Sequence, residues 1–446
     1  MHRIEIKNFG PIKHFEADIN DLMFFIGAQA SGKSTISKII FFCRSLRDEL
    51  LYFLREAKVD ELEHPRWEDV FRRRQQKRLF EYFGSDWITS LISESTTPLE
   101  CSFKFQIYLG QTEIITVQRV YHERIIIYYS NDLQKRLIHI FQEARKFKIN
   151  NELKVIVDYQ NFLATEAFFG AIQTELYELF RDTRPVFFIP AGRSVFPFLT
   201  KQWQQLDLKQ FDYVTQLFLR TVVHLKKMFK HDLNTVIDNL GQLDTQNSVM
   251  CLLLTDKLRE ILKGEYRYDD FSDKEKLFYD NEKYVELSFA SSGQQEVIWI
   301  LHLLFKVILD NNPVFSVIEE PEAHLFPETQ NQLVEFLGLF ANAKPDNQLL
   351  VTTHSPYILT ALNNLIYAYQ VGQKNPDEVN ALIAKQFWID PRRVSAYFVE
   401  NGTARSIMDE ELQHINAEEI DRASDLTNSL HEQLLEVELA GESDGM

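Results

Sequence analysis

Apolar and polar residues alternate at the start of the chain, the pattern of strands with one buried face. Two such segments cover residues 4–9 and 15–19. Residues 22–26 are then apolar without interruption up to Gly27, which is typical of a strand buried on both faces. The next stretch, residues 34–58, contains no Gly or Pro and predicts a helix.

The middle of the chain changes character several times. Residues 101–131 hold three alternating segments separated by turn-like breaks, which predict a β-meander. Residues 132–182 and 200–264 have a helical pattern, with a short apolar strand at 186–189 between them. The acidic, polar stretch 265–282 predicts a loop.

Strands and helices alternate regularly from residue 284 onward. The predicted elements are strands at 284–289, 314–318 and 348–352, and helices at 293–310 and 327–341. This alternation indicates a parallel sheet in an α/β fold.

Charge and composition narrow the class of protein. The 446 residues carry a net charge of −17, and residues 406–446 alone hold twelve acidic residues and one Arg. Such an acidic chain is a poor general binder of nucleic acid. Three cysteines far apart in the sequence indicate neither a disulfide framework nor a zinc site. No apolar run is long enough for a membrane span, and the N-terminus lacks a signal-peptide core, so we expect a cytoplasmic protein without membrane contact.

The segment after the buried strand matches the pattern GxxxxGK[ST] of a P-loop. It reads Gly27, Ala28, Gln29, Ala30, Ser31, Gly32, Lys33, Ser34 and Thr35. Glycines let backbone N–H groups curl around phosphates, and the helix N-terminus adds the positive end of a dipole. Lys33 can reach the β- and γ-phosphates and Ser34 can ligate Mg²⁺. The segment therefore predicts a site for a nucleoside triphosphate with Mg²⁺.

Two further strand ends carry candidate catalytic groups. Glu319 and Glu320 follow an apolar strand, where the first can hold Mg²⁺ through water and the second can orient or deprotonate the attacking water. His354 follows another apolar strand and could sense the γ-phosphate. Alone, such residues are more often a solvated strand end and a structural His, but their order after the P-loop favours catalysis.

A Ser- and Gly-rich segment opens the helix predicted at 293–310. Its residues are Ser291, Ser292, Gly293 and Gln294. A helix start of this kind binds anions. The P-loop already binds the phosphates, so one subunit does not need this second anion site for its own nucleotide. The site suits the γ-phosphate of a nucleotide that is bound by another subunit. The alternative is an ordinary N-cap at Ser291 or Ser292.

The order of these motifs resembles the ABC-type ATPases of the SMC, RecF and OLD group. More narrowly, the chain is similar to AAA-family ATPases of bacterial antiphage systems. The likeness is sharp over residues 1–40 and 284–360 and loose between them. It implies an α/β fold of the type found in ABC-type P-loop ATPase heads. The sheet of such a head is mixed and has an antiparallel part, and a helical insertion interrupts the head in the sequence.

The resemblance also assigns roles. It places the signature motif at Ala290–Gln294, with Ser291 and Gly293 meeting ATP across a dimer. Glu319 stands at the Walker B acid linked to Mg²⁺, Glu320 at the catalytic base and His354 at the switch histidine. Residues 1–131 become the first ATPase lobe with the β-meander, 132–283 a mostly helical insertion with its strand, 284–405 the second lobe, and 406–446 an acidic helical tail.

Some residues depart from the family pattern or stay ambiguous. Glu319 replaces the usual Asp, and Ser292 replaces the first Gly of the signature. These departures leave open an alternative in which hydrolysis is slow and ATP acts as a structural clamp. Residues 189–194 resemble a segment common in the defence-associated group. Within it, Arg193 either approaches the nucleotide or is a structural Arg on a loop.

Partners follow from the same resemblance. It implies a homodimer or a higher homo-oligomer and a separate effector nuclease of the HNH or Toprim type, as in the Septu and PARIS systems. The acids of residues 361–446 are not led by buried strands, so we expect no nuclease site in this chain. The basic run 72–78 could grip DNA or a partner, or could be a solvated helix face. A RecF-like DNA-repair ATPase and an ATP-clamped scaffold with little turnover remain the alternatives.

Overall fold

The computed structural model describes residues 2–84, 102–109, 111–120, 124–152, 159–238, 245–280 and 282–416. Its strands are β1 (His2–Phe9), β2 (Ile12–Asp18), β3 (Leu22–Ile26), β4 (Ser102–Leu109), β5 (Gln111–Val120), β6 (Arg124–Tyr129), β7 (Val186–Ile189), β8 (Glu265–Asp269), β9 (Lys274–Phe278), β10 (Tyr284–Glu286), β11 (Phe315–Glu319), β12 (Gln348–Thr353), β13 (Val394–Glu400) and β14 (Thr403–Ser406). Its helices are α1 (Lys33–Glu56), α2 (Arg66–Phe83), α3 (Asn131–Glu152), α4 (Tyr159–Phe180), α5 (Phe196–Leu199), α6 (Tyr213–Leu225), α7 (Leu233–Asp238), α8 (Thr245–Leu262), α9 (Ser292–Leu309), α10 (Pro327–Ala343), α11 (Pro356–Gly372) and α12 (Pro376–Leu382).

One large mixed sheet organises the described residues. Its order is β6-β5-β4-β1-β2-β14-β13-β3-β12-β11-β7. The strands from β13 to β7 run parallel, and those from β6 to β2 run antiparallel. The predicted α/β class with a mixed sheet and an antiparallel part is therefore confirmed, and so is the β-meander β4-β5-β6.

The central strand β3 shows why the sheet is covered on both sides. Its five residues are all buried, and so are those of β11 and β12. Leu22 and Phe24 belong to the hydrophobic core that also contains Trp299 of α9, whereas Met23 and Phe25 belong to a second core against α1. Alternate side chains of one strand thus pack against helices on opposite faces, as expected for a parallel sheet.

The prediction of a loop at 265–282 is wrong. Strands β8 and β9 pair antiparallel there, and β10 completes a three-stranded sheet. Tyr266 and Leu277 are buried on one face, and the charged residues of the other face pair with each other, as Lys276 does with Asp269 at 2.8 Å. The polar composition of the segment hid this alternation.

Two further predictions concern the edge strand of the main sheet and the C-terminal part of the described chain. The short strand predicted at 186–189 is β7, and it lies at the edge of the main sheet, parallel to β11. At the C-terminal side, residues 407–416 form turns closed by a bridge between Met408 and Ile415 rather than a helix. The rest of the predicted acidic tail, residues 417–446, lies outside the described residues.

Candidate nucleotide site

The P-loop follows the carboxyl end of β3 and leads into α1. Gly32 is the N-cap residue of α1 with φ 107°, and a Cβ at this position would lie 2.4 Å from Ile12 Cδ1. Only glycine fits there. Ala30 also has a left-handed backbone, with φ 59°. These turns produce the tight loop that the motif predicts, with the N-terminus of α1 opening beneath it.

Lys33 lies inside this loop. Its Nζ donates to the carbonyl oxygens of Gly27 and Ala28, both at 2.9 Å, and lies 3.3 Å from His354 Nδ1. Burial lowers the pKa of Lys33 to about 8, and the nearby carboxylates of Glu320 and Glu322 oppose this shift. A buried ammonium held by neutral acceptors is ready to exchange them for phosphate oxygens.

The carboxylates predicted from sequence stand at the end of β11, two strands away from β3. Glu319 is buried, and Ser37 of α1 donates to its Oε1 at 3.3 Å. Burial raises the pKa of Glu319, while a hydrogen bond from Ser34 and one from the backbone of Ala191 lower it. Glu319 and Ser34 are therefore brought together, the arrangement that a shared Mg²⁺ would require.

His354 joins Lys33 to Glu320. Its Nε2 lies 3.0 Å from Glu320 Oε1, and its Nδ1 faces Lys33 Nζ. An ammonium can only donate and a carboxylate can only accept, so this geometry fits a neutral imidazole with its proton on Nε2. The hydrogen bond from His354 lowers the pKa of Glu320 and keeps that carboxylate ionised.

Two residues of the site were not found from sequence. Glu322 accepts hydrogen bonds from Thr353 Oγ1 at 2.6 Å and from the backbone N–H of His354 at 2.8 Å. It therefore fixes the strand end that carries the histidine. Glu296 of α9 accepts from the backbone N–H groups of Arg193 and Ser194, both at 2.9 Å. Two signals in the sequence could have indicated them. Glu322 is an acidic residue three positions after Glu319, and Glu296 is an acidic residue within a largely apolar helix.

Arg193 is a fully buried structural arginine that contacts the backbone at the end of β11. Its guanidinium donates to the carbonyl oxygen of Glu319 at 2.6 Å and to that of Glu320 at 2.8 Å. The side chain therefore points to the end of β11 rather than to the P-loop. The structure therefore supports the interpretation of Arg193 as a structural residue, and the backbone that it holds is that of Glu319 and Glu320.

The signature segment forms the cap of α9. Ser291 is the N-cap residue, and its side chain and that of Gln294 make a reciprocal capping box. Gly293 packs so closely that a Cβ would lie 2.7 Å from the carbonyl oxygen of His324. In the described part of the chain, no hydrogen bond joins residues 291–294 to the P-loop. The structure therefore brings together every predicted group except the signature segment.

The basic run 72–78 lies on α2, and most of its charges have acidic partners in the same chain. Arg78 lies 2.7 Å from Glu81, and both Arg74 and Arg78 lie within 4 Å of Glu49. Arg78 also stacks on the ring of Tyr213 at 4.0 Å. This arrangement favours the interpretation of a charge-balanced helix face.

The P-loop lies between β3 and α1, and the neighbouring strands β11 and β12 end in carboxylates and a histidine. This arrangement defines a P-loop ATPase. The chain belongs to a family of such proteins, because the family model described as AAA ATPase domain matches residues 1–359. The P-loop, the signature segment, Glu319, Glu320 and His354 all lie within the matched range. No curated protein matches the chain.

The chain is similar to several solved structures. An SMC head bound to the C-winged helix domain of ScpA has 11% sequence identity and a TM-score of 0.39, covering 92% of this chain and 98% of that one. The SMC head domain from Thermotoga maritima has 10% identity, a TM-score of 0.37 and the same coverages. An SMC head with an extended coiled coil bound to the C-terminal domain of ScpA, derived from Pyrococcus furiosus, has 11% identity, a TM-score of 0.38 and coverages of 97% and 100%.

The residues present fit ATP with Mg²⁺. Ser31 Oγ, in the middle of the P-loop, is buried without a hydrogen-bond partner among the described residues, which leaves a donor available to a phosphate. Lys33 offers the cation, while Ser34 and Glu319 offer the oxygens that Mg²⁺ prefers. As for membranes, the described helices include none with the length and apolar character needed to span a bilayer.

Proposed function

We propose that this protein is the ATP-binding and ATP-hydrolysing sensor subunit of an antiphage defence complex, in which it controls a separate effector nuclease. The observation that supports it most is the hydrogen-bonded chain from Lys33 through His354 to Glu320. Such a chain links the phosphate-binding cation to the base, so the catalytic geometry depends on where Lys33 points. A sensor needs this kind of dependence.

Each site residue has a defined task in this proposal. Lys33 binds the β- and γ-phosphates, and Ser34 with Glu319 holds Mg²⁺, which neutralises charge that develops on the phosphate oxygens. Glu320 orients the attacking water and accepts its proton. His354 exchanges its contact with Lys33 for one with the γ-phosphate. Binding of ATP therefore rearranges the hydrogen bonds around Glu320.

The complete site forms between two copies of the chain. Among the described residues of one chain, the capping box of α9 makes no hydrogen bond to the P-loop, so a second copy supplies the donors that reach the γ-phosphate. Two exposed aromatic residues flank this helix start, Phe289 with 77% and Phe326 with 74% of the residue surface accessible. Large exposed aromatic groups of this kind are typical of interaction surfaces.

The effector is a separate polypeptide, an HNH or Toprim nuclease. The motif order, the segment 189–194 and their likeness to defence-associated ATPases support this part of the proposal. Direct binding of DNA through residues 72–78, as in a RecF-like repair ATPase, is less favoured because most of their charges already have intramolecular partners.

Native mass spectrometry of the protein expressed with its neighbouring genes tests the proposal. We expect a second polypeptide at fixed stoichiometry, with a complex that changes composition when ATP is added. The Lys33→Ala variant should lose the ATP response and keep the partner. An ATP-dependent dimer without any second polypeptide would contradict the defence-complex part and leave the ATPase intact.

A further inference from the structure

The buried guanidinium group of Arg193, in the loop after β7, donates hydrogen bonds to the backbone of Glu319 and Glu320. Arg193 makes four hydrogen bonds to carbonyl oxygens, at distances of 2.6 to 2.8 Å. The acceptors are the carbonyl oxygens of Pro190, Glu296, Glu319 and Glu320. Two of the four acceptors are thus the backbone carbonyl oxygens of Glu319 and Glu320, whose side chains are the proposed catalytic carboxylates.

The backbone at Glu320 needs such support. Its φ is +44°, in the left-handed region that residues other than glycine seldom adopt. The carbonyl oxygen of this residue accepts from Arg193 Nη2, and its N–H donates to the carbonyl oxygen of Thr352 at 2.8 Å. The strained turn that aims the Glu320 carboxylate towards His354 is therefore held from both sides.

The other end of this hydrogen-bonded connection is α9, the helix that begins with the signature segment and is called the signature helix below. Glu296 lies on α9, five residues after the capping Ser291, and its carboxylate forms a buried ion pair with Arg193 at 3.4 Å. Both side chains are almost completely buried, at 0% and 2% exposure. Arg193 and Glu296 thus form one rigid link between the start of α9 and the end of β11.

We propose that Arg193 and Glu296 are positioning residues that couple the signature helix of each chain to the catalytic carboxylate of the same chain. The inference rests on the proposed composite site. In a two-fold dimer, α9 of one copy meets the nucleotide bound by the other copy. The link then carries that contact to its own Glu320, which serves the second nucleotide. The two ATP sites of the dimer are therefore coupled, and hydrolysis is cooperative in ATP.

The chemistry of the link explains why arginine is needed. A planar guanidinium presents several N–H donors at fixed angles, and here they reach two successive carbonyl oxygens and α9 together. A lysine would keep the charge but could not span these acceptors. A glutamine at 296 would keep the shape and weaken the charge-assisted bonds.

Steady-state ATPase kinetics of Glu296→Gln and Arg193→Lys test the link. We expect the wild type to show a Hill coefficient above 1, and both variants to fall towards 1 with kcat reduced about 10- to 100-fold. Their affinity for a fluorescent ATP analogue should stay within about twofold, because both residues lie outside the P-loop. If Arg193→Lys does not fold, the near-isosteric Glu296→Gln carries the test.

A matched variant separates positioning from stability. Asp182 forms a similarly buried ion pair with Arg44 at 2.5 Å, away from the carboxylates. Asp182→Asn should lower the melting temperature as much as Glu296→Gln does, with kcat and the Hill coefficient unchanged. Wild-type kcat and cooperativity in Glu296→Gln would overturn the inference. A wild type without ATPase activity would instead overturn the proposed function, so the two failures are distinguishable.

Discussion

His354 Nε2 lies 3.0 Å from Glu320 Oε1, and the opposite ring nitrogen faces Lys33 Nζ at 3.3 Å. One imidazole thus contacts both the Glu320 carboxylate and the Lys33 ammonium group. An ammonium only donates and a carboxylate only accepts, so the ring satisfies both partners only with its proton on Nε2. Withdrawal of Lys33 would leave Nδ1 without its donor, so the hydrogen bonding of His354 depends on where this ammonium group lies.

Removing the base should separate binding from turnover. Glu320→Gln keeps the shape of the side chain but cannot accept a proton, so kcat should fall about 100- to 10,000-fold. His354→Ala should reduce kcat less, since Glu320 remains. The affinity for ATP, measured by fluorescence anisotropy, should stay near that of the wild type in both. Turnover in Glu320→Gln equal to that of the wild type would contradict the assignment.

ATP binding should weaken at alkaline pH. Burial lowers the pKa of Lys33 to about 8, and only the protonated amine attracts phosphate. As the pH rises through 8, a growing fraction of Lys33 is neutral, so affinity should decrease progressively, and binding should take up a proton. Titrations from about pH 6.5 to 9.5 measure this decrease. Lys33→Arg is the control, because arginine stays charged over the whole range; a pH-independent wild type would contradict the prediction.

Two glycines give a matched pair of substitutions. Gly293→Ala would place Cβ 2.7 Å from the carbonyl oxygen of His324, so we expect a loss of about 1–3 kcal/mol in the free energy of unfolding. At Gly170, in α4, an added Cβ would meet no described atom within 4 Å, and Gly170→Ala should stabilise by about 0.5–1 kcal/mol. Urea denaturation compares them, and equal effects would refute the tight packing at α9.

Glu322 should matter although it lies outside the P-loop. Glu322→Ala leaves the hydroxyl of Thr353 and the backbone N–H of His354 without their acceptor. We expect a loss of about 1–3 kcal/mol in stability and a lower kcat, because His354 loses its fixed position. Thermal melts and ATPase assays on the same preparation check both effects. A variant that melts earlier but hydrolyses ATP at the wild-type rate would show that the contact is structural alone.

The sequence predicts the parts of this site that are local. The P-loop and the ends of β11 and β12 are each recognisable because an apolar run leads directly into the functional residue. The N-cap, which the sequence offers at Ser291 or Ser292 as the alternative to an anion site, is local in the same way, and in the structure it is Ser291. Such features depend on neighbours within a few positions, so a pattern in the chain is enough to find them.

Long-range polar contacts could not be predicted in this way. Arg193 bonds to carbonyl oxygens more than a hundred residues away, and carbonyl groups are the same for every residue. The hairpin β8-β9 was missed for a related reason, since buried Glu275 is satisfied by Thr200 and by Tyr266. A polar residue with distant partners looks, in the sequence, like a solvated one.

The central claim is that ATP completes its site between two copies of this chain. Sedimentation velocity of Glu320→Gln, with and without ATP and Mg²⁺, tests it most directly, because this variant should hold ATP without consuming it. We expect a dimer only with ATP, and a monomer at all conditions for Glu320→Gln combined with Lys33→Ala. A monomer at saturating ATP, or a dimer indifferent to ATP, would contradict the account.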